Sequence, residues 1–405
     1  MNVYYKVKAN GLTWVLIAMA MALLSACRGD ELIAYSEEED TGGEAVKTNI
    51  IGMYVLNEGN MGSNKCTLDY LDLSANTPTV HYTRNIYAER NPSEVKELGD
   101  VGNDIQVYGN RLWVVINASN KVEVADAYTC KKIGKVDIPN CRYVVFDKGF
   151  AYISSYAGPL AMGGKAQLGR IYKVDTLSLQ KTDSLTVGYQ PEEMCIVDGK
   201  LYVANSGGYL STGSYDHTVS QVDLQTFREE RKIDVAINLH RCRADKYGQV
   251  WVTSRGNYKP GAESVPSRLF WLEKGRNGNM EKVDSLDITV SDLCIVGDSL
   301  FFIGVDNTDT QSNGTQSFGI VNVRTHQVSA SSLSTSPEAK AMKLPYGIIV
   351  NPVNKDFYIM DAKDFVSSGE LLHFKADGSF DWKVRTGDIP AHAAFVSERI
   401  NQKQQ

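Results

Sequence analysis

The sequence predicts an all-β fold, a seven-bladed β-propeller closed by a C-terminal strand that completes the first blade. From residue 50 onward, short apolar stretches alternate with turn residues, and no long segment has the 3.6-residue period of a helix. One unit recurs along the chain: an apolar stretch, a Gly or Asp turn, and an apolar–aromatic–apolar triplet. Seven copies at a spacing of about 50 residues match the period of four-stranded propeller blades.

The first 26 residues predict an export signal that is removed. Two lysines precede an apolar run from Leu12 to Leu23, which is too short to span a hydrocarbon core of about 30 Å. Small residues stand directly before Cys27, as in the lipobox of bacterial lipoproteins. We therefore expect lipidation of Cys27, which would anchor the mature chain to a membrane.

Residues 27–48 are expected to form the lipidated cysteine and an acidic, flexible tether. The segment from Glu37 to Glu44 is acidic and contains glycine, so it offers little apolar surface for folding. Acidic residues directly after the cysteine resemble the surface-export signal of Bacteroides-group lipoproteins. That resemblance implies an outer-membrane protein, lipid-anchored and exposed on the cell surface.

Residues 49–396 are predicted to form the propeller, followed by a tail over 397–405. The recurring aromatic side chains, one in each blade, are Tyr54, Trp113, Tyr152, Tyr202, Trp251, Phe301 and Tyr358. The predicted blades are 50–91, 104–138, 141–187, 191–236, 241–290, 291–343 and 346–387.

The two ends of the repeat region predict how the ring closes. The first copy has no apolar strand with a turn before Tyr54, whereas the stretch from His392 to Val396 has the pattern of a strand but no blade of its own. We expect this C-terminal segment to complete the first blade, which leaves no long unpaired edge.

Charge and motifs exclude several classes of function. The net charge of −6 argues against nucleic-acid binding, which depends on a basic surface. The sequence has no phosphate-binding loop, no Gly-x-Ser-x-Gly elbow and no zinc-protease helix. We therefore predict a protein that is not an enzyme, with no catalytic residue, no bound metal and no cofactor.

Four cysteines recur at the same place in successive blades, near the first strand: Cys141, Cys195, Cys242 and Cys294. We expect small buried side chains there, and a ring of metal-binding thiolates in the channel is the alternative. A disulfide between Cys66 and Cys130 is compatible with export but does not follow from the sequence.

One face of the propeller carries the loops after each second strand together with the loops between blades, and we expect the ligand there. These loops are rich in Tyr, Asn, Ser and Gly, as in antibody binding loops. The candidate ligand-binding residues are Asn57, Asn117, Arg142, Tyr156, Tyr189, Asn205, Tyr209, His240, Arg255, Tyr258, Asn307 and Tyr346. For the asparagines a purely structural role in turns stays open, and for Arg255 a solvated rim position.

Two segments resemble the YncE-like propeller lipoproteins of the Bacteroides group: residues 54–63 and the blade motif over residues 198–205. The similarity covers about residues 50–396. This class includes surface lipoproteins that capture vitamin B12 and work with a TonB-dependent outer-membrane transporter. The resemblance implies a receptor that captures a cobamide, a vitamin B12-type corrinoid, on one propeller face and delivers it to such a transporter.

Other functions remain open from the sequence. The same kind of surface protein would bind another cargo, such as a glycan or haem, and haem would need an axial ligand such as His240. The tyrosine-rich face would also serve as a protein-interaction platform. An enzyme of the calcium-dependent propeller-lactonase type is a further alternative.

Overall fold

The structure, a computed structural model, describes residues 36–399 except 77, 95–97, 160–165, 211–213, 260 and 307–314. The export signal, Cys27 and the candidate Asn307 lie outside these residues. Within them, no helix has both the length and the apolar character needed to cross a membrane.

The described residues form twenty-nine strands and two short α-helices, which are numbered here in chain order. The strands are β1 (Glu37–Glu44), β2 (Ile50–Asn57), β3 (Thr67–Asp72), β4 (Thr79–Arg84), β5 (Gly102–Tyr108), β6 (Arg111–Ile116), β7 (Lys121–Asp126), β8 (Lys132–Asp137), β9 (Cys141–Asp147), β10 (Phe150–Ser155), β11 (Leu168–Asp175), β12 (Lys181–Tyr189), β13 (Pro191–Val197), β14 (Lys200–Asn205), β15 (Thr218–Asp223), β16 (Arg228–Asp234), β17 (Leu239–Ala244), β18 (Val250–Ser254), β19 (Arg268–Lys274), β20 (Met280–Leu286), β21 (Asp292–Val296), β22 (Ser299–Asp306), β23 (Thr315–Asn322), β24 (Gln327–Ala330), β25 (Pro345–Val350), β26 (Phe357–Asp361), β27 (Ser368–Phe374), β28 (Phe380–Asp388) and β29 (Pro390–Ser397). The helices are α1 (Ile86–Arg90) and α2 (Pro337–Ala341), and Gly261–Glu263 forms a 3₁₀ turn.

These strands form seven antiparallel sheets, the blades of a propeller. Blade 1 has the spatial order β1-β4-β3-β2-β29, and blades 2 to 7 each contain four consecutive strands, from β5–β8 to β25–β28. The innermost strands β29, β5, β9, β13, β17, β21 and β25 contact one another in that order around the ring. The predicted seven-bladed all-β fold is confirmed.

The C-terminal strand closes the ring as predicted. Strand β29 pairs antiparallel with β2, so that Ala394 stands opposite Tyr54 and Phe395 opposite Met53. The chain end thereby supplies the innermost strand of blade 1, whose other strands come from the start of the described chain. Closure by one strand from each end removes the long unpaired edges that an open sheet would expose.

The core lies between the blades rather than inside one of them. Successive side chains of a strand point to opposite faces, so each blade packs against both of its neighbours. On β6, Leu112 and Val114 pack against blade 1, whereas Trp113 and Val115 pack against blade 3. Seven buried clusters of described residues fill the seven interfaces in this way. The recurring aromatic of each blade is buried in the interface with the next blade, which explains why the triplet repeats.

The acidic segment, which was expected to be a flexible tether, contains a β-strand. Residues Glu37–Glu44 form β1, the outermost strand of blade 1, which pairs with β4. Arg84 forms ion pairs with Glu37 and with Glu39, the second at 2.8 Å. An edge strand is solvated on its outer side, so it needs a backbone partner and a cation rather than an apolar face. The expectation of an unfolded linker was therefore wrong for these eight residues.

The cysteines lie where their spacing predicts, on the innermost strands. Cys141, Cys195 and Cys242 are buried, and Cys294 is half-buried. Cys66 and Cys130 are both free and buried in the interface between blades 1 and 2. The part of the chain that the structure describes contains no group of three or more His, Cys, Asp or Glu side chains able to hold a metal ion.

Candidate functional site

A cavity of about 270 Å³ opens at one end of the central channel, and we call this end the mouth. It is bordered by the first residues of several innermost strands and by the loops that follow the second strands of blades 1, 5 and 7. The polar and aromatic residues that line it are Glu58, Asn103, Arg142, Tyr143, His240, Arg241, Arg255, Tyr258, Ser267, Thr289, Ser291, Tyr346, Phe365 and His392.

A buried carboxylate organises the wall formed by blades 3, 4 and 5. Glu192, near the start of β13, is 2% exposed. Its Oε2 accepts hydrogen bonds from the guanidinium of Arg142 at 3.1 and 3.2 Å, and its Oε1 accepts one from the hydroxyl of Tyr156 at 2.6 Å. Burial opposes ionisation of Glu192, but Arg142 and Arg255 outweigh it, so the pKa of this carboxyl lies below its usual value. Glu192 therefore stays charged and fixes Arg142 and Tyr156 in place.

A second ion cluster lies beside it. Arg241 on β17 is 3.1 Å from a carboxylate oxygen of Asp292, and it also approaches the hydroxyl of Tyr143 at 3.4 Å. Arg243, two residues further along β17, is 2.8 Å from Glu193. Both guanidinium groups thus have a close carboxylate partner.

Three buried carboxylates on innermost strands have a structural role. Asp104, Glu193 and Asp292 each accept a hydrogen bond from a backbone N–H of the innermost strand of the next blade. The donors are Val144, Cys242 and Ile348, at 2.8 to 3.0 Å. An innermost strand has no further strand on its channel side to accept hydrogen bonds from its backbone N–H groups. These carboxylates accept those hydrogen bonds instead.

His240 is a neutral imidazole at the centre of this wall. Its Nε2 is 2.9 Å from the hydroxyl of Tyr143. Burial, together with the positive charges of Arg255, Arg241 and Arg142, lowers the pKa of His240 well below its usual value. The ring therefore acts as a hydrogen-bonding group rather than as a cation.

The opposite wall, from blades 7 and 1, carries the negative charge. Glu58 accepts a hydrogen bond from the hydroxyl of Tyr346 at 3.3 Å and lies 3.5 Å from Nε2 of His392. The charge of Glu58 and burial both raise the pKa of the Tyr346 phenol, which stays protonated as the donor. The mouth is therefore bipolar, with arginines on one wall and a carboxylate on the other.

The loop after β18 brings Arg255 and Tyr258 to the mouth. The backbone N–H of Arg255 donates to the carbonyl of Asn238 at 3.0 Å, and the Asn238 side chain donates to the carbonyl of Gly256 at 2.9 Å. Gly256 has φ +66°, and a Cβ there would collide with the carbonyl oxygen of Val265. These contacts hold the backbone of Arg255 and Gly256 and place Arg255 against the cavity.

The structure brings five of the twelve predicted residues to the mouth: Arg142, His240, Arg255, Tyr258 and Tyr346. Tyr156 lies behind them, joined through Glu192, and the exposed ring of Tyr209 contacts Tyr156 edge-on at 6.1 Å between centroids. Tyr189 is half-buried at the end of β12 and does not line the cavity.

The three described asparagine candidates are not brought to the mouth. Asn57 is buried and donates to Asp69 at 2.8 Å, and Asn117 donates to the carbonyl of Cys141 at 2.9 Å. Asn205 accepts from the backbone N–H of Gly188 and donates to hydroxyls of β15. Each of these asparagines lies at or next to the end of a second strand and forms hydrogen bonds to other groups of the protein.

Several residues of the mouth were not among the candidates, namely Glu58, Tyr143, Glu192, Arg241 and His392. A signal for most of them exists in the sequence, because polar residues open an otherwise apolar first strand. Pro191-Glu192-Glu193 before Met194 is one example. Which of these side chains share a wall depends on the order of blades around the ring.

Comparison with solved structures shows the propeller fold. The chain is similar to a quinoprotein alcohol dehydrogenase-like protein from Bacteroides thetaiotaomicron, at 12% identity and a TM-score of 0.56, over 86% of this chain and 79% of that chain. It is also similar to the periplasmic gluconolactonase of Pseudomonas aeruginosa, at 8% identity and a TM-score of 0.59, over 85% and 99% of the two chains. Hydrazine synthase of Kuenenia stuttgartiensis matches at 15% identity and a TM-score of 0.55, over 72% and 89%.

At these identities the structural likeness concerns the fold alone. No curated protein is significantly similar to the chain in sequence. Residues 51–255, just over half of the chain, match a family described as a domain of unknown function, DUF5074, and run from β2 of blade 1 to the end of β18 in blade 5. The chain therefore belongs to the DUF5074 family.

Proposed function

We propose that this protein is a receptor that binds a small molecule at the mouth of the propeller, and that its cargo is a cobamide. The observation that carries the proposal is the mouth itself. Arg142, Tyr156 and Tyr346 are fixed by an ion pair and by hydrogen bonds to Glu192 and Glu58 before any ligand arrives. Such a preformed surface loses little conformational entropy on binding, which favours high affinity.

The size of the mouth suits a ligand that lies across it. The cavity of about 270 Å³ is near the lower end of the roughly 300–1,000 Å³ of pockets that enclose a drug-sized molecule. A corrinoid would therefore insert one edge and rest its remaining surface on the rim. Exposed apolar side chains stand on loops around the mouth, including Met61, Tyr209, Tyr258 and Phe365. Such side chains offer the apolar contact area that a flat macrocycle needs.

The location and partner are part of the same proposal. The order of lysines, apolar run, small residues and Cys27 supports a lipid-anchored protein of the outer membrane, exposed on the cell surface. The resemblance to YncE-like lipoproteins, and to the vitamin B12-binding lipoprotein BtuG among them, supports delivery of the cargo to a TonB-dependent transporter. We propose a binding role rather than a catalytic one.

A titration of the purified full-length protein with cyanocobalamin, by calorimetry at fixed salt concentration, tests the receptor function. We expect stoichiometric heat and a melting temperature that rises with ligand concentration by mass action. If the titration gives no heat and the melting temperature does not rise, the cobamide is ruled out as the cargo. Glycans are the comparison ligands, because the same tyrosines and arginines suit sugar hydroxyls.

Haem fits the mouth less well than a cobamide. A histidine that serves as the axial ligand must offer a free ring nitrogen to the iron. His240 is buried, and its Nε2 is already within hydrogen-bond distance of Tyr143. A haem-binding role would require that contact to break.

A further inference from the structure

We propose, on the basis of the receptor function above, that Arg255 anchors an anionic group of the ligand, a phosphoryl or a carboxylate. The proposed ligand is therefore an anion with an apolar body. Its charged group would lie inside the mouth, and its apolar part would rest on the rim.

Two of the three arginines at the mouth already have a carboxylate partner. Arg142 donates twice to Glu192, and Arg241 lies 3.1 Å from Asp292. The side chain of Arg241 is buried, and that of Arg142 is only 17% exposed. Their charges are compensated by the protein itself, so neither is available to neutralise a ligand without breaking an internal ion pair.

Arg255 differs from both. Its nearest carboxylate oxygen is Oε1 of Glu192 at 3.9 Å, beyond hydrogen-bond distance. That oxygen is already within reach of the hydroxyls of Tyr156 and Ser206, at 2.6 and 3.4 Å. Among the described residues, no side chain or carbonyl accepts a hydrogen bond from the guanidinium of Arg255, and its side chain is 33% exposed, against the cavity.

The surroundings of Arg255 suit an anion. Arg142 and the neutral His240 lie on the same wall, and Tyr258, three residues along the same loop, offers a hydroxyl. Among the described residues lining the cavity, Glu58 is the carboxylate, and it is on the opposite wall. The carboxylate nearest to Arg255, Glu192, is buried behind the wall and is already paired with Arg142, so an oxyanion in the cavity would meet a guanidinium that no carboxylate of the described residues contacts closely.

Partial burial strengthens this interaction. Protein on one side of a guanidinium excludes water and lowers the local dielectric constant. Such a guanidinium attracts an anion more strongly than an arginine in bulk water does. Its planar fork also matches two oxygens of a phosphoryl or carboxylate group. The hydrogen bonds of the Arg255 and Gly256 backbone to Asn238 fix the point of the loop from which this side chain extends.

The test uses inorganic phosphate and acetate as probes, titrated into the full-length protein at constant ionic strength. We expect Arg255→Gln to weaken binding of the better probe at least tenfold and Arg255→Lys, which keeps the charge but loses the fork, to weaken it less. The control is Arg324→Gln, which removes the same charge from an exposed turn between β23 and β24. It should bind as the wild type does. Preference for phosphate would assign a phosphoryl group, and preference for acetate a carboxylate.

Equal binding of both probes to the wild type and Arg255→Gln would overturn the anion site. Cyanocobalamin, which carries a phosphodiester, separates this outcome from failure of the receptor function. If it binds both proteins equally and without salt dependence, the anion site is wrong and the cobamide receptor stands. If it does not bind while a probe binds in an Arg255-dependent way, the cobamide is wrong and the anion site stands.

Discussion

Two sets of polar residues lie on the same face of the propeller, and the structure uses them differently. Asn57, Asn117 and Asn205, at or next to the ends of second strands, are buried and hydrogen-bonded within the protein. Arg142 and His240, near the starts of innermost strands, line the open cavity. Both sets look like binding residues by type. The difference teaches that residue type alone does not separate a structural polar residue from one that faces a ligand.

The physical reason is the local supply of hydrogen-bond partners. At the end of a second strand the chain leaves the sheet, and backbone groups there need a substitute partner, which a short amide side chain provides. Side chains near the start of an innermost strand either border the cavity, as Arg142 and His240 do, or bind backbone of the next blade, as Asp292 does. The predictions below are ordered by their expected effect on the free energy of unfolding.

Removal of β29 should have the largest effect. Truncation after Asp388 deletes the innermost strand of blade 1 together with the buried Ala391 and Val396. We expect loss of the cooperative fold, since the deficit approaches the total stability of roughly 5–15 kcal/mol. Thermal melting followed by circular dichroism measures this. A truncation that removes only residues 400–405 is the control, and an equal melting temperature for both proteins would show that β29 does not close the ring.

Glu192→Gln should cost about 3 kcal/mol, because it leaves Arg142, whose side chain is only 17% exposed, without its counter-ion. Asp198→Asn, which breaks an exposed ion pair with Lys274, is the control and should cost at most about 1 kcal/mol. Denaturant unfolding at pH 7 measures both. Similar losses for the two variants would contradict a special role for the buried carboxylate.

The stability that Glu192 contributes should depend on pH, because the pKa of its carboxyl is shifted in the folded protein. The folded protein holds the pKa of this carboxyl below its unfolded value of about 4.3, so the ionised group stabilises the fold above that pH. The contribution is lost as the pH falls through the folded pKa. The difference in stability between the wild type and Glu192→Gln should therefore shrink below about pH 4, and a constant difference would refute the assignment.

Asn205→Ala should cost about 1–3 kcal/mol, because it leaves the backbone N–H of Gly188 and two hydroxyls of β15 without their partner. Binding at the mouth should not change. Asn76→Ala, at an exposed turn, is the control and should change stability by at most about 0.5 kcal/mol. Reduced ligand binding by a stable Asn205→Ala protein would place this asparagine in the ligand site after all.

Tyr258→Ala should have the smallest effect on stability, within about 0.5 kcal/mol, because the side chain is 52% exposed. Its binding of cyanocobalamin should nevertheless weaken by more than about 1 kcal/mol, as expected for an aromatic contact residue. Tyr247→Ala is the control, since Tyr247 is 48% exposed in the turn between β17 and β18. Calorimetric titration of the three proteins checks this, and equal affinities would remove Tyr258 from the site.

Sequence patterns predicted the fold far better than the site. The period of the aromatic triplets located every blade, because each triplet must bury side chains against both neighbouring blades. The acidic strand β1 was missed because its stability comes from pairing with β4 and from Arg84, a residue about 45 positions away. Glu192 was missed as a site residue for the same reason, since Arg142 and Arg255 reach it from other blades.

The sequence by itself determined the number of blades, the aromatic core positions and the strand that closes the ring, because these depend on short-range alternation and a repeat. Only the tertiary structure decided which polar residues meet at the mouth. It also decided which arginine at the mouth, Arg255, has no carboxylate of the described residues within hydrogen-bond distance. Those facts depend on distances between side chains about 50 or more residues apart, such as Arg142 to Glu192 or Arg241 to Asp292. Neither residue type nor spacing along the chain contains such distances; closure of the ring sets them.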